Sequence, residues 1–216
     1  MRRWPSGVRR IAGWSLIAAG AASLLAAGGR YALGAVRADQ AREIWEAEQA
    51  RAVVASAWTT GNAPARARLI DGAPVARLII PRISLDEIVL EGVGERQLDA
   101  APGHVPGSAV PGRKGNAIIS AHRDRHFKRF DEIAIGDTIA TESDRSRTSW
   151  VVVDRRIIDK DAPALFRERD ATLTLTTCWP IRHLGTAPER LIITAKPVKW
   201  LNAGTGASAL RASLER

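Results

Sequence analysis

The longest uninterrupted apolar stretch lies near the N-terminus, where residues 11–29 (IAGWSLIAAGAASLLAAGG) contain no charged side chain. As a helix, this stretch would rise about 28 Å at ~1.5 Å per residue, close to the ~30 Å hydrocarbon core of a bilayer. Four arginines and no acidic residue lie in the basic stub before it, residues 1–10. By the positive-inside rule, the pattern favours an uncleaved signal anchor with a cytoplasmic N-terminus and an extracytoplasmic remainder.

Two other interpretations fit the same stretch. The small residues Ala26–Gly29 would suit cleavage of a signal peptide. A buried helix of a soluble protein is a third option, which the arginine-rich flank disfavours. The anchor and the cleaved signal agree that the rest of the chain works outside the cytoplasm.

After the anchor, residues 30–74 are predicted to form a juxtamembrane helix and a linker. Residues 38–58 contain neither Gly nor Pro and mix Glu with Arg, which is typical of a solvated helix. Its apolar stripe is only partial, so we expect it to space the following domain from the lipid. A helix that binds a partner protein is the alternative. The Gly and Pro residues between 61 and 74 indicate the linker.

Residues 75–200 read as a single all-β domain. Short β-prone runs are separated by Gly and Pro clusters, and only residues 124–134 look helical. Seven or eight such strands favour a closed barrel or a sandwich over a parallel α/β sheet. The tail, residues 201–216, is predicted to be flexible. The predicted strands are 75–80, 87–90, 116–121, 137–141, 150–158, 172–177 and 191–195.

The net charge of +9 first suggests a nucleic-acid binder. Six of the nine excess positive charges, however, lie before residue 38, where they flank the apolar stretch. Residues 75–200 keep an excess of only three. We therefore expect no nucleic-acid partner. The single cysteine, Cys178, excludes an intramolecular disulfide and a multi-cysteine zinc cluster.

Candidate chemistry lies at the ends of three predicted strands. Cys178 closes the run TLTLTTC, and the alternation places it on the face opposite Leu173 and Leu175. Arg190 opens the next strand, so antiparallel pairing would bring it beside the thiol. His122 ends the run NAIISAH in the same way. A thiol, an imidazole and a guanidinium are the groups required for covalent acyl transfer.

Two plainer interpretations stand beside this one. A lone cysteine is most often an inert buried residue. Alternatively, His122 and His126 are four residues apart, and Cys178 and His183 are five apart, which would offer four zinc ligands. The sequence HRDRH lacks the Glu of HExxH, so a metalloprotease base is missing. We therefore expect no metal at these residues.

The motifs together resemble the sortase family. TLTTC at 174–178, followed twelve residues later by an arginine, is similar to the sortase TLxTC…R signature. The segment 115–137 resembles the family's histidine loop, closest to the HRDTFF loops of classes C and D, although Ala121, Arg125 and His126 depart from that pattern. Residues 76–92 and 101–112 match the family's usual order and spacing.

The resemblance implies a closed eight-stranded β-barrel with short helices. It implies that Cys178 is the nucleophile that forms a thioester, that His122 is the general acid and that Arg190 stabilises the oxyanion or the substrate backbone. Thr177 is a weaker candidate for fixing the substrate, and Asp124 for orienting a loop residue. No cofactor is implied, and no residue indicates modulation by Ca²⁺.

The implied activity is that of a cysteine transpeptidase anchored in the cytoplasmic membrane. Its partners would be a substrate protein with a C-terminal LPxTG-like sorting motif and an amine-bearing acceptor of the cell envelope. A hydrolase on the same scaffold, in which water replaces the amine, is one alternative. A non-catalytic or metal-binding extracytoplasmic module is the other.

Overall fold

The computed structural model describes residues 6–56, 69–143, 146–162, 170–183 and 185–198. Within these residues, a long helix α1 leads into a closed barrel of eight strands. The closed eight-stranded barrel expected from the sequence is therefore confirmed. Residues 57–68, which include most of the predicted linker, and residues 199–216, which include the predicted tail 201–216, lie outside the described residues.

Two α-helices and two short 3₁₀ turns accompany the strands. The helices are α1 (Ser6–Ser56) and α2 (Glu95–Leu98), and the 3₁₀ turns are Pro81–Ile83 and Phe130–Glu132. The strands are β1 (Pro74–Ile80), β2 (Leu85–Glu91), β3 (Gly103–His104), β4 (Asn116–Ser120), β5 (Thr138–Ser143), β6 (Ser146–Asp159), β7 (Thr172–Trp179) and β8 (Glu189–Pro197).

The strand order around the barrel is β1-β2-β3-β4-β7-β8-β6-β5, and β5 closes onto β1. Two pairs are parallel, β2 with β3 and β4 with β7, and the other pairs are antiparallel. Because of this order, β7 lies between β4 and β8. The only strand that the sequence pattern misses is β3, which has two residues within a Gly- and Pro-rich segment.

The barrel interior is filled by alternate side chains of its strands. Leu173 and Leu175 of β7 are completely buried there with Leu191 and Ile193 of β8. Burial of one such aliphatic side chain contributes about 1.5–3 kcal/mol. The alternation also means that the residues between them, and Cys178 further along β7, point to the outer face of the barrel.

One polar contact lies inside this core. Trp150 of β6 is completely buried, and its indole Nε1–H donates a hydrogen bond of 2.9 Å to the hydroxyl of Thr141 on β5. Without a partner, a buried indole N–H would carry its full desolvation cost. Thr141 therefore allows a large aromatic side chain to fill the barrel.

The segment 124–134, which the sequence pattern predicts as helical, is mostly a series of turns. It contains only the 3₁₀ turn Phe130–Glu132. Phe127 and Phe130 are completely buried and stack with 4.4 Å between their ring centroids, and Ile133 is buried with them. This spacing of three residues matches 3₁₀ periodicity rather than the 3.6 residues of an α-helix, which explains the difference.

The helix α1 is one continuous element that includes both the predicted anchor and the predicted juxtamembrane helix. It is the one helix, among those described, that is long and apolar enough to cross a membrane. Between residues 14 and 29 it exposes large apolar side chains, among them Leu16, Ile17, Leu24 and Leu25.

Contacts of α1 with the rest of the domain begin at Arg30, and its buried residues lie between Gly34 and Trp45. Gly34, Ala41 and Trp45 are buried at spacings of seven and four residues, which place them on one face of the helix. Ala41 and Trp45 contact a cluster that contains Ile88, Leu90, Ala100 and Ala101. Arg42 donates a 2.8 Å hydrogen bond to the carbonyl of Asp86. The part of α1 that is predicted to be juxtamembrane thus packs on the domain.

The contact between Trp150 and Thr141 predicts a stability difference. Thr141→Val keeps the shape of the side chain but leaves the indole N–H without an acceptor, so unfolding should become easier by about 1–3 kcal/mol. Thr138→Val, at an exposed position of the same strand, should change stability by about 0.5 kcal/mol or less. Urea unfolding of the two variants measures both values, and equal values would show that the hydrogen bond contributes nothing.

Candidate active site

Cys178 lies near the end of β7, the strand between β4 and β8. It is a free, half-buried thiol. Its position alternates with the buried Leu175 and Thr177, so its side chain points to the outer face of the barrel. The half-buried thiol therefore lies on the outside of the sheet.

Arg190 lies directly opposite Cys178 in the antiparallel pair of β7 and β8. The sequence predicts this pairing, and the register confirms it. Residues opposite one another point to the same face, with their strands roughly 4.8 Å apart. Arg190 is half-buried, and its Nη1 donates a 3.2 Å hydrogen bond to the carbonyl of Glu189.

His122 approaches Cys178 from the other side, along β4. The parallel pairing of β4 with β7 ends at Ser120 opposite Thr176, two residues before His122 and before Cys178. The N–H of Ala121 continues the ladder with a 3.2 Å hydrogen bond to the carbonyl of Thr176. His122 is half-buried. The structure therefore brings all three predicted residues to one end of three neighbouring strands, with Cys178 in the middle.

The two weaker candidates differ in their positions. Thr177 is buried on the inner face, and its hydroxyl donates a 2.7 Å hydrogen bond to the carbonyl of Ala121. Its side chain therefore links the end of β7 to the residue that precedes His122. Because this side chain is buried, only the backbone of Thr177 is left to contact a substrate, and that contact stays a prediction. Asp124 is exposed two residues after His122. Its role in orienting a loop residue also stays a prediction.

Sequence reasoning missed a contribution from Arg123. Its guanidinium donates hydrogen bonds of 2.9 Å to the carbonyl of Pro180 and 2.6 Å to that of Gly185. Both carbonyls belong to the loop that follows Cys178. The residue next to His122 thus holds the chain next to the thiol, and the planar fork of Arg suits two simultaneous acceptors. The arginine next to His122 is visible in the sequence, but the loop that it binds could be identified only in the fold.

The zinc alternative receives no geometric support. Across the described ranges, no group of three or more His, Cys, Asp or Glu side chains is placed to hold a metal ion. Nδ1 of His126 lies 3.3 Å from a carboxylate oxygen of Glu87 on β2 instead. His126 therefore contacts a different strand from the one that carries Cys178.

A second histidine has an arrangement that resembles a serine-hydrolase triad. Nε2 of the completely buried His104 lies 2.9 Å from the hydroxyl of Ser108, and its Nδ1 lies 2.6 Å from the carboxylate of Glu91. The hydroxyl, however, donates to the carbonyl of Val105 at 2.7 Å, while Nε2 also lies 2.9 Å from the carbonyl of Ala109. Nε2 is therefore a donor and cannot accept the proton of the serine, so these residues hold the segment after β3 in place.

Comparison with known proteins adds a family assignment to this geometry. Residues 78–198 match the Sortase domain family. The Sortase D of Bacillus subtilis strain 168 is 32% identical over 123 residues, which cover 56% of this chain and 62% of that protein. The chain thus matches less than two thirds of the length of this relative.

Solved structures of sortases share the fold. A Sortase D5 transpeptidase of Clostridium perfringens has a TM-score of 0.59 at 20% identity, with 77% of this chain and 99% of that chain covered. The SrtD catalytic domain of B. anthracis has a TM-score of 0.52 at 26% identity, covering 64% of this chain and 96% of that one. Sortase C-1 of Actinomyces oris has a TM-score of 0.52 at 25% identity, with 58% and 74% covered. Since the domain match extends over more than half of the sequence and the barrel has the same architecture, this chain belongs to the sortase family.

Proposed function

We propose that this protein is a membrane-anchored cysteine transpeptidase that cleaves an LPxTG-like sorting motif and transfers the new carboxyl end to an amine. One observation carries the proposal. The strand order β4-β7-β8 places the thiol of Cys178 between His122 and Arg190, at the ends of neighbouring strands. The groups suited to act as nucleophile, proton carrier and fixed positive charge then lie at one end of three neighbouring strands.

In the first half of the reaction, the thiolate of Cys178 attacks the carbonyl carbon of the scissile peptide bond. The C–S bond forms and the C–N bond breaks, which leaves the acyl group on the enzyme as a thioester. The departing amine needs a proton, and an imidazolium at His122 supplies it. His122 is then neutral and ready to accept a proton.

In the second half, an amine of the acceptor attacks the thioester carbon. The new C–N bond forms, the C–S bond breaks, and the proton of the incoming amine goes to His122. The enzyme returns to its thiolate and imidazolium pair. If water attacks instead, the same steps give hydrolysis, so the products distinguish the two activities.

Arg190 is suited to stabilise the negative charge that develops on the carbonyl oxygen in both halves. An arginine guanidinium carries a fixed positive charge and offers several donors in one plane. Arg190 lies directly opposite Cys178 on the neighbouring strand, so its positive charge is on the strand next to the nucleophile. A donor directed at a developing oxyanion typically contributes about 10²–10³-fold to kcat.

The apolar part of α1 supports the membrane location. We infer a single pass with a cytoplasmic N-terminus, because the arginines of the basic stub lie before the apolar stretch. The barrel would then work on the outer side of the cytoplasmic membrane. Its partners would be a protein that carries the sorting motif and an amine acceptor in the cell envelope.

The nucleophile can be tested with Cys178→Ala in the full-length protein. Cleavage of a library of LPxTG-like peptides should fall to background, because no thioester can form. Mass spectrometry of the unchanged protein should show the acyl group on Cys178 when acceptor amine is withheld. Thr194→Ala, on the neighbouring strand and away from the strand ends, is the control that should remain active. Undiminished cleavage by Cys178→Ala protein would refute the proposal.

Transfer and hydrolysis can be separated by their products. With a peptide that the enzyme cleaves, increasing concentrations of a primary amine should convert the free acid product into the amide product. The rate of acyl-enzyme breakdown should rise with amine concentration, because the amine is a reactant of the second step. A free acid product at every amine concentration would identify a hydrolase instead.

Arg123 should control the loop that follows the thiol. Arg123→Ala removes the donors to Pro180 and Gly185, and hydrogen bonds to charged groups are each worth about 1.5–3 kcal/mol. Amide exchange in residues 181–187 should therefore become at least about tenfold faster. Arg182→Ala, at an exposed position in the same loop, should leave the exchange of neighbouring amides unchanged. Equal exchange in both variants would mean that the Arg123 contacts do not hold the loop.

A further inference from the structure

Asp99 lies where three parts of the molecule meet. It follows α2 directly, and its carboxylate accepts a 2.9 Å hydrogen bond from Arg30 of α1. Its backbone carbonyl accepts a hydrogen bond from Nη1 of Arg125, and Nη2 of Arg125 lies 3.8 Å from its carboxylate. One residue therefore contacts both the anchor helix and the loop that carries His122.

Arg125 links Asp99 to His122 through a short turn. Its backbone N–H lies 3.4 Å from the carbonyl of His122, to which it donates. Its guanidinium also lies over the ring of Tyr31 of α1, 4.9 Å from the centroid, within range of a cation–π interaction. The side chain of Arg125 is thus held between the helix and Asp99, three residues from the proposed general acid.

The helix approaches this point so closely that only glycine fits. A Cβ atom built on Gly34 would lie 2.6 Å from Nη1 of Arg125 and would also collide with the carbonyl oxygen of Asp99. A Cβ atom at Gly13, Gly20, Gly28 or Gly29 of the same helix would meet nothing within 4 Å. Gly34 is therefore the position of α1 at which an added side chain would separate the helix from the loop.

The positive charges around Asp99 favour the ionised form of its carboxylate. Burial alone would raise the pKa of Asp99, but the hydrogen bond and charge of Arg30, with the charges of Arg125 and His122, lower it below its usual range. Asp99 therefore stays ionised at neutral pH. Its negative charge acts on His122 as well as on the two arginines.

We propose that Asp99 is a positioning residue that joins the docked anchor helix to the His122 loop, so that docking of α1 holds the general acid in place for the reaction. The proposal rests on the proposed function, since it takes His122 as the acid. It adds that the segment between the membrane and the barrel takes part in organising the active site. Tyr31 and Gly34 lie against Arg125 of that loop, and Arg30 binds Asp99, so these residues form the physical connection.

The closing experiment compares Gly34→Leu with Gly29→Leu in the full-length protein in lipid nanodiscs. Both variants place the same helix-forming side chain on α1, but only the first displaces Asp99 and Arg125. In Gly34→Leu, amide exchange of residues 121–126 should become faster, while exchange within β7 should not change. The kcat for peptide cleavage should fall by about 10–100-fold at nearly constant KM, because the acid is misplaced and peptide binding is not. Gly29→Leu should behave as the unchanged protein.

A second pair of variants keeps the proposal testable if Gly34→Leu protein does not fold. Asp99→Ala removes the carboxylate and should lower kcat and accelerate exchange in the same residues. Asp99→Glu restores a carboxylate next to Arg30 and should recover most of both values. A residue that only stabilised α2 would change the melting temperature without this division between kcat and KM.

The results distinguish failure of this proposal from failure of the proposed function. Exchange is measured without substrate and can be repeated in Cys178→Ala protein, so it reports the junction even in an inactive enzyme. Equal exchange in Gly34→Leu and Gly29→Leu proteins would overturn the proposal, and so would faster exchange with unchanged kcat. Undiminished cleavage by Cys178→Ala protein would refute the transpeptidase function alone.

Discussion

The parallel pairing of β4 with β7 is the constraint on which the rest of the site depends. It brings together residues more than fifty positions apart, and a slip of one residue would turn Cys178 into the barrel and Thr177 out of it. Two threonine hydrogen bonds fix the register, one at each end of this short ladder. Thr174 donates to the side chain of Asn116 at 2.8 Å, and Thr177 donates to the carbonyl of Ala121 at 2.7 Å. The threonines of TLTLTTC therefore serve the placement of the cysteine as well as the strand itself.

Arginine side chains hold the loops that follow these strands in place. Arg123 binds two carbonyls of the loop after Cys178, and Arg125 binds the carbonyl of Asp99. Loop carbonyls need donors that can reach them over some distance, and a long side chain with a planar donor group meets that need. Arginine rather than lysine at positions 123 and 125 thus has a structural use at the His122 loop. That loop is held from both sides, by the barrel through Arg123 and by α1 through Arg125.

How far the sequence predicts this structure depends on how far apart along the chain the interacting residues lie. The strands and the position of Cys178 opposite Arg190 follow from alternation and from a single connecting loop, which are local features. The approach of His122 was expected only from its strand-end position and the family resemblance, because a parallel pair has no local pattern that identifies its partner. The docking face of α1 was missed because it consists of small residues and one tryptophan, Trp45, and not of a continuous apolar stripe. The helix predicted at 124–134 was wrong because charged neighbours hide the three-residue spacing of Phe127 and Phe130.

The docked helix also determines where the active site lies relative to the proposed membrane anchor. Arg30, the residue directly after the apolar stretch, already binds Asp99. Close packing begins at Gly34, about 7.5 Å beyond Gly29 at ~1.5 Å per residue. A flexible connection would let the barrel adopt many orientations, whereas a continuous helix packed on the domain permits few. For the proposed function, this restricts the height above the membrane at which a substrate protein would meet the site. The contacts that fix the height of the barrel also reach the His122 loop, through Asp99. In our proposal, the same docking of α1 therefore restricts both the position of the barrel and the geometry of the site.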